Sequence, residues 1–139
     1  MASGKYEAYS QLWLNWLFNG GTFAQPSNLY IALYTVAPTV STTGTEATGT
    51  SYARITVACN TTNWPTISGS TTTITNNVAQ SFATAGGNWS SSSNMTDAGI
   101  LSSLSSTTLY YWGDLTVAKP VLNGDTASFA ISALTIQEL

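Results

Sequence analysis

Six carboxylates, three basic groups and one thiol are the only ionisable groups besides tyrosine in this 139-residue chain, and histidine is absent. Glu46, Asp97, Asp114 and Asp125 are the carboxylates that could be imagined as a catalytic or calcium site. Acid–base work would need two of them held together, and calcium would need a loop spacing such as D-x-[DN]-x-[DN]-G. Each instead stands in its own turn-like setting, where Asp supplies local hydrogen bonds. Without histidine, no hydroxyl nucleophile has the usual base beside it. Cys59 is alone, so it can form no intramolecular disulfide and anchors no thiolate metal site. These counts predict a non-enzyme with no catalytic, cofactor-binding or metal-ligating residues.

The charged pair with the best claim to a role is Glu46 with Arg54. They flank Thr48-Gly49-Thr50, a turn-like triplet that can bend one toward the other. In a chain that is only 6% charged, each has few other partners. A structural ion pair bracing a loop against a strand is expected, with an intersubunit contact by Arg54 as the rival.

Five tryptophans are the other concentrated resource. Trp112 is expected in the core. Trp13 and Trp16, with Leu17 and Phe18, sit in a segment that is apolar nearly all round, which a free surface helix does not tolerate. Trp64 and Trp89 lie in polar loops and are the candidates for an exposed contact, either with protein or with stacked sugar rings. Candidate interface residues are therefore Trp13, Trp16, Leu17, Phe18, Trp64 and Trp89.

The elements that must position these groups are legible in outline. Residues 3–19 predict one helix, with Ser3 as N-cap and Asn19-Gly20-Gly21 as its stop. From residue 28 the pattern turns to short strands: 29–35, closed by Pro38, then 52–58, 71–75, 78–82, 95–102 and 107–117. Residues 39–50 and 85–94, rich in Ser, Thr and Gly, read as flexible loops. Asn123-Gly124-Asp125 predicts a tight hairpin between 115–122 and 126–136, with a bulge at Ser132-Ala133 where the apolar alternation slips by one. The sum is a single all-β domain, an antiparallel β-sandwich over 28–138 with an N-terminal helix, and a jelly roll is the preferred topology.

Composition narrows the partners. The net charge of −3 with three cations disfavours nucleic acid, which is bound through Lys and Arg. No apolar run approaches the roughly 20 residues that span a bilayer. No secretory leader pattern is present, and the N-x-[ST] matches at Asn60, Asn88 and Asn94 are chance products of a Ser/Thr-rich chain, so folding in a reducing cytoplasm is expected.

Several segments resemble one family. NLYIALYT at 28–35, an acidic Glu46 ahead of Tyr52-Ala53-Arg54, DAGI at 97–100, LYYWGDL at 109–115, Pro120 with Gly124-Asp125, and the final strand 129–136 are similar to small tailed-bacteriophage virion proteins. The resemblance spans roughly residues 5 to 138, is weak over 60–94, and departs at Ser132, where glycine is common. It implies a structural component with no active-site residues, labelled either capsid decoration (cement) protein or tail-fibre-related protein. The expectation drawn from it is a decoration protein on the outer capsid surface. It would bind the major capsid protein shell as a homo-oligomer, a trimer or dimer. The alternative is a tail-fibre or receptor-binding module that meets host glycan.

Overall fold

The computed structural model describes residues 4–138. In chain order the elements are β1 (Gly4–Lys5), α1 (Glu7–Phe18), β2 (Asn28–Val36), β3 (Thr45–Glu46), β4 (Ile55–Ala58), β5 (Thr73–Thr75), β6 (Gln80–Ser81), β7 (Met95–Leu101), β8 (Leu109–Lys119), β9 (Ser128–Phe129) and β10 (Thr135–Gln137). The protein is all-β and antiparallel, a sandwich with an N-terminal helix. One six-stranded sheet has the order β1-β8-β7-β2-β3, with β4 also paired to β2. Two two-stranded ribbons, β5–β10 and β6–β9, complete it, so the layers are unequal where a jelly roll has two similar sheets.

Strand β2 is central because β7 takes one edge and β3 and β4 share the other. Its Ile31, Ala32, Leu33 and Tyr34 are at most 3% exposed, so both faces are covered. Alternation sends Ile31 and Leu33 to one face and Ala32 and Tyr34 to the other. The first face meets Val57, Phe82, Trp89, Ile100 and Val121, with Ile74 of β5, Phe129 of β9 and Ile136 of β10 packed against that cluster. The second face is smaller, with Leu101, Leu109 and Trp112 under Tyr6.

Four expectations are corrected here. The helix begins at Glu7 rather than residue 3, because Gly4 and Lys5 pair as a strand with Trp112 and Tyr111 of β8. Its N-cap is Tyr6, and Ser3 lies outside the described residues. The Asn123-Gly124-Asp125 turn forms, with Gly124 at φ 88° and Asp125 Oδ2 accepting from Leu122 N at 3.0 Å, but its arms do not pair with each other. Instead β9 pairs with β6 and β10 with β5, because Val121 is buried and Pro120 brings no N–H to extend a ladder. The apolar slip after Phe129 is not a bulge in one strand but the crossing from one ribbon to the other. Ser132 makes it at φ 62°, a conformation that glycine adopts at less cost.

Asn76 fastens that crossing. It is fully buried, its Nδ2 donates to Ala130 O at 2.8 Å and Val78 O at 2.9 Å, and its Oδ1 accepts from Leu134 N at 2.8 Å. A buried amide with its donors and acceptor used stabilises the crossing without a desolvation penalty.

Candidate functional site

The Glu46–Arg54 pair lies where the loop after β3 returns to the sheet. Arg54 Nη2 is 2.6 Å from Glu46 Oε2 and Nε is 2.9 Å from Oε1, a two-pronged contact. The Arg54 side chain is 8% exposed and that of Glu46 26%. The remaining guanidinium nitrogen, Nη1, donates to Ser103 O at 2.6 Å and Ser106 O at 2.8 Å, so the same cation ties down the β7–β8 turn. Tyr52 Oη donates to Glu46 Oε1 at 2.9 Å and accepts from Leu33 N at 3.2 Å, linking the pair to the central strand. Burial first, then the Glu46 carboxylate, push the Tyr52 phenol far above its usual range, and the same two causes raise Tyr34 to about 12. Both phenols therefore stay protonated at any physiological pH. The cluster is a structural clamp: Arg54 Nε, Nη1 and Nη2 and Tyr52 Oη all donate to protein oxygens that tie three segments together.

The loop tryptophans are not at the surface, which corrects their expected role. Trp89 is fully buried and Trp64 is 8% exposed. Trp89 Nε1 donates to Thr50 O at 3.0 Å, and its ring meets Tyr52 edge-on at 5.0 Å and Phe82 at 5.9 Å. A Cβ on Gly49 would fall 2.6 Å from Trp89 Cδ1, so only glycine lets the two loops approach this closely. Segment 85–94, expected to be flexible, is thus pinned: Ala85 N donates to Asp125 O, Trp89 N to Val121 O and Ser90 N to Thr48 O. Its serines turn outward through positive φ at Ser90, Ser91 and Ser92. An isolated apolar residue among polar ones in a loop is an anchor, and that pattern was the available signal for Trp89. The Trp89 ring is not free to stack on a sugar, and Trp64 keeps only 8% of its surface exposed.

Strands β7 and β8 carry a pair that sequence reading kept apart. Asp97 and Asp114 face each other in register across the two strands rather than standing in separate turns. Asp97 is 2% exposed, its Oδ2 accepts from Thr96 Oγ1 at 2.5 Å, and among the described residues its Oδ1 has no hydrogen-bond donor. Burial first, and the Asp114 carboxylate in addition, raise the Asp97 carboxyl above the ordinary range, against the Thr96 hydrogen bond that lowers it. A group raised in the folded state stabilises fully below its unfolded pKa, and that contribution is lost as pH rises through the folded pKa. Asp97→Asn should therefore raise the thermal midpoint at pH 7 by a few degrees and bring little gain in mild acid. Equal gains at both pH values in thermal melts would refute this. Two carboxylates alone make no metal centre, and among the described residues no three His, Cys, Asp or Glu side chains converge.

What the protein does expose is α1. None of its residues is buried. Leu12, Trp13, Leu14 and Trp16 are 41–53% exposed, Leu17 is 53% exposed and Phe18 74%. The helix touches the body mainly through Tyr9, whose ring lies 4.8 Å from Tyr110, 5.3 Å from Tyr111 and 5.8 Å from Phe23, and through an edge contact of Trp13 with Phe23 at 6.4 Å. An apolar groove of about 740 Å³ lies beside this contact, lined by Tyr9, Phe23, Leu29, Trp64, Ile74 and Tyr110 among others. Of the six candidate interface residues, α1 gathers Trp13, Trp16, Leu17 and Phe18 on one element, and Trp64 and Trp89 are in the core.

No curated protein matches this chain. A family model described as podophage GP4 fiber I protein gp80 matches residues 5–137, from β1 through β10. The match runs through the clamp, the pinned loops and the exposed helix alike, and it establishes that this chain belongs to the podophage GP4 fiber I protein gp80 family of bacteriophage virion proteins.

Proposed function

We propose that this chain is a structural subunit of a podophage tail fibre, built into the virion through α1. The observation that carries the proposal is the helix: six large apolar side chains stand in water on an element that buries none of its residues. A contiguous apolar surface of that kind marks a protein interface. The family description names a fibre protein, and that favours the tail over the outer capsid surface expected from sequence. The decoration reading would use the same helix against the major capsid protein, so location separates the two. The rest of the molecule suits a building block. Its loops are pinned by neutral hydrogen bonds, and Arg54, one of its three basic residues, is spent internally. Shearing purified virions and separating fibres from heads should recover this chain with the fibres. Recovery with the heads alone would overturn the fibre assignment in favour of decoration.

A further inference from the structure

We infer that Asn19-Gly20, at the C-terminal end of α1, is a site of spontaneous backbone modification, whereas the same dipeptide at Asn123-Gly124 is locked against it. Of the asparagines in this chain, only Asn19 and Asn123 precede a glycine. A glycine amide nitrogen, with no Cβ beside it to obstruct the approach, can reach the side chain of the residue before it. At Asn19 the Gly20 nitrogen attacks Cγ, the Cγ–Nδ2 bond breaks, and Nδ2 leaves as ammonia with the proton that Gly20 N gives up. The product is a cyclic succinimide. Water then adds to one of its two carbonyl carbons and breaks that carbon's bond to Gly20 N. Opening at Cγ leaves aspartate, and opening at the main-chain carbonyl leaves isoaspartate, with the backbone running through the former side chain.

The two pairs differ in what holds them. Asn19 and Gly20 are exposed and lie just beyond the helix. Gly20 stands at φ 66°, a Cβ there would meet nothing within 4 Å, and its N–H makes no hydrogen bond among the described residues. The Asn19 side chain has one neutral surface bond, Nδ2 donating to Asn15 Oδ1 at 3.0 Å. Its backbone is restrained by the last helical turn, where Asn19 N and Gly21 N share Asn15 O at 3.0 and 3.1 Å, and helix ends fray. Once that turn loosens, ψ of Asn19 can rotate away from 8° and bring Gly20 N to Cγ. Asn123-Gly124 is also exposed, but its nucleophile is engaged: Gly124 N donates to Ala85 O at 2.8 Å. Around it Asn123 N donates to Asn88 Oδ1 at 2.9 Å, Leu122 N to Asp125 Oδ2 at 3.0 Å and Asp125 N to Leu122 O at 2.9 Å.

Conversion at Asn19 acts on the surface proposed above for assembly, and this consequence rests on that reading. A carboxylate at the C-cap adds negative charge to the negative end of the helix, and no basic residue in the last turn offsets it. Isoaspartate also lengthens the backbone by one methylene. A Cβ on Gly21 would lie 3.2 Å from Asn15 C and O, so the returning chain runs too close to absorb the extra length. The last turn, which carries Leu17 and Phe18, then loses its cap. Chains left unassembled lose the α1 surface with time, and a fibre that covers α1 keeps the cap shut.

The full-length chain, fresh and aged in mildly alkaline buffer, should be digested with trypsin and read by mass spectrometry and isoaspartyl methyltransferase labelling. Cleavage after Lys5 and Arg54 places Asn19 and Asn123 on different peptides. Opening the four bonds around Asn123 costs about 1.4 kcal/mol or more, so Asn19 should convert at least about tenfold faster. In urea the two sites should convert at similar rates. Asn19→Gln, which would have to close a larger ring, should abolish conversion in the peptide after Lys5 with far-UV circular dichroism unchanged. Equal rates in the folded chain, a difference that persists in urea, or label remaining in that peptide of Asn19→Gln overturns the inference. Chain from sheared fibres should carry less converted Asn19 than free chain of the same age, and equal amounts would sever the modification from assembly. Conversion at Asn19 in a chain found only with heads sinks the fibre role and keeps the modification, and an intact Asn19 in aged free chain that travels with fibres does the reverse.

Discussion

Trp89→Ala is expected to cost the domain about 3–5 kcal/mol, the usual range for emptying a fully buried tryptophan site. The ring is the meeting point of three loops. It fills the space under Gly49, stacks edge-on against Tyr52 and Phe82, and its indole N–H satisfies Thr50 O. Alanine leaves a cavity and an orphaned carbonyl together, and nothing nearby can collapse into the gap without moving a pinned backbone. Urea denaturation followed by far-UV circular dichroism should show a midpoint shift at constant slope. A variant as stable as the parent would mean that the loops around residues 49 and 89 contribute little to the core. Most single-domain proteins have only about 5–15 kcal/mol to lose, so poor recovery of folded material is also expected.

Arg54→Ala is expected to cost a similar amount, about 3–5 kcal/mol, because it strands a partly buried carboxylate. Glu46 would lose both prongs of its partner, and Ser103 O and Ser106 O would lose their donor. The cost of removing one partner exceeds the net worth of the pair, so Glu46→Gln/Arg54→Met should recover part of the loss. Additive single effects in that double-mutant cycle would show that the two side chains are not coupled. The raised phenols of Tyr34 and Tyr52 do not change charge near neutrality, so the cycle should read the same at pH 6 and pH 8.

The parts of the fold legible in the sequence are those where local pattern and tertiary demand agree. NLYIALYT reads as a buried strand because β-branched, leucine and tyrosine side chains fill both faces of β2. The apolar second half of α1 reads as an unfinished surface because no polar stripe interrupts it. Glu46 and Arg54 were within reach because one short turn separates them. What was not legible depends on which strands meet. Asp97 and Asp114 are 17 positions apart and become neighbours only once β7 pairs with β8. The arms around Asn123-Gly124 part because each finds a partner far along the chain, and turn chemistry cannot show that. Trp64 and Trp89 looked exposed because their neighbours are polar, yet those neighbours are the residues that turn outward and leave the ring to the core. Asn76, a single amide in a Thr-rich stretch, carries no local mark of its place at the ribbon crossing.

The decisive measurement is a cryo-EM map of the intact virion at a resolution that shows strands. Density for the sandwich in the tail fibres, with α1 covered by protein, is the expected result. Density for it only on the outer face of the head shell, against the major capsid protein, or α1 left bare in the fibre, would contradict it.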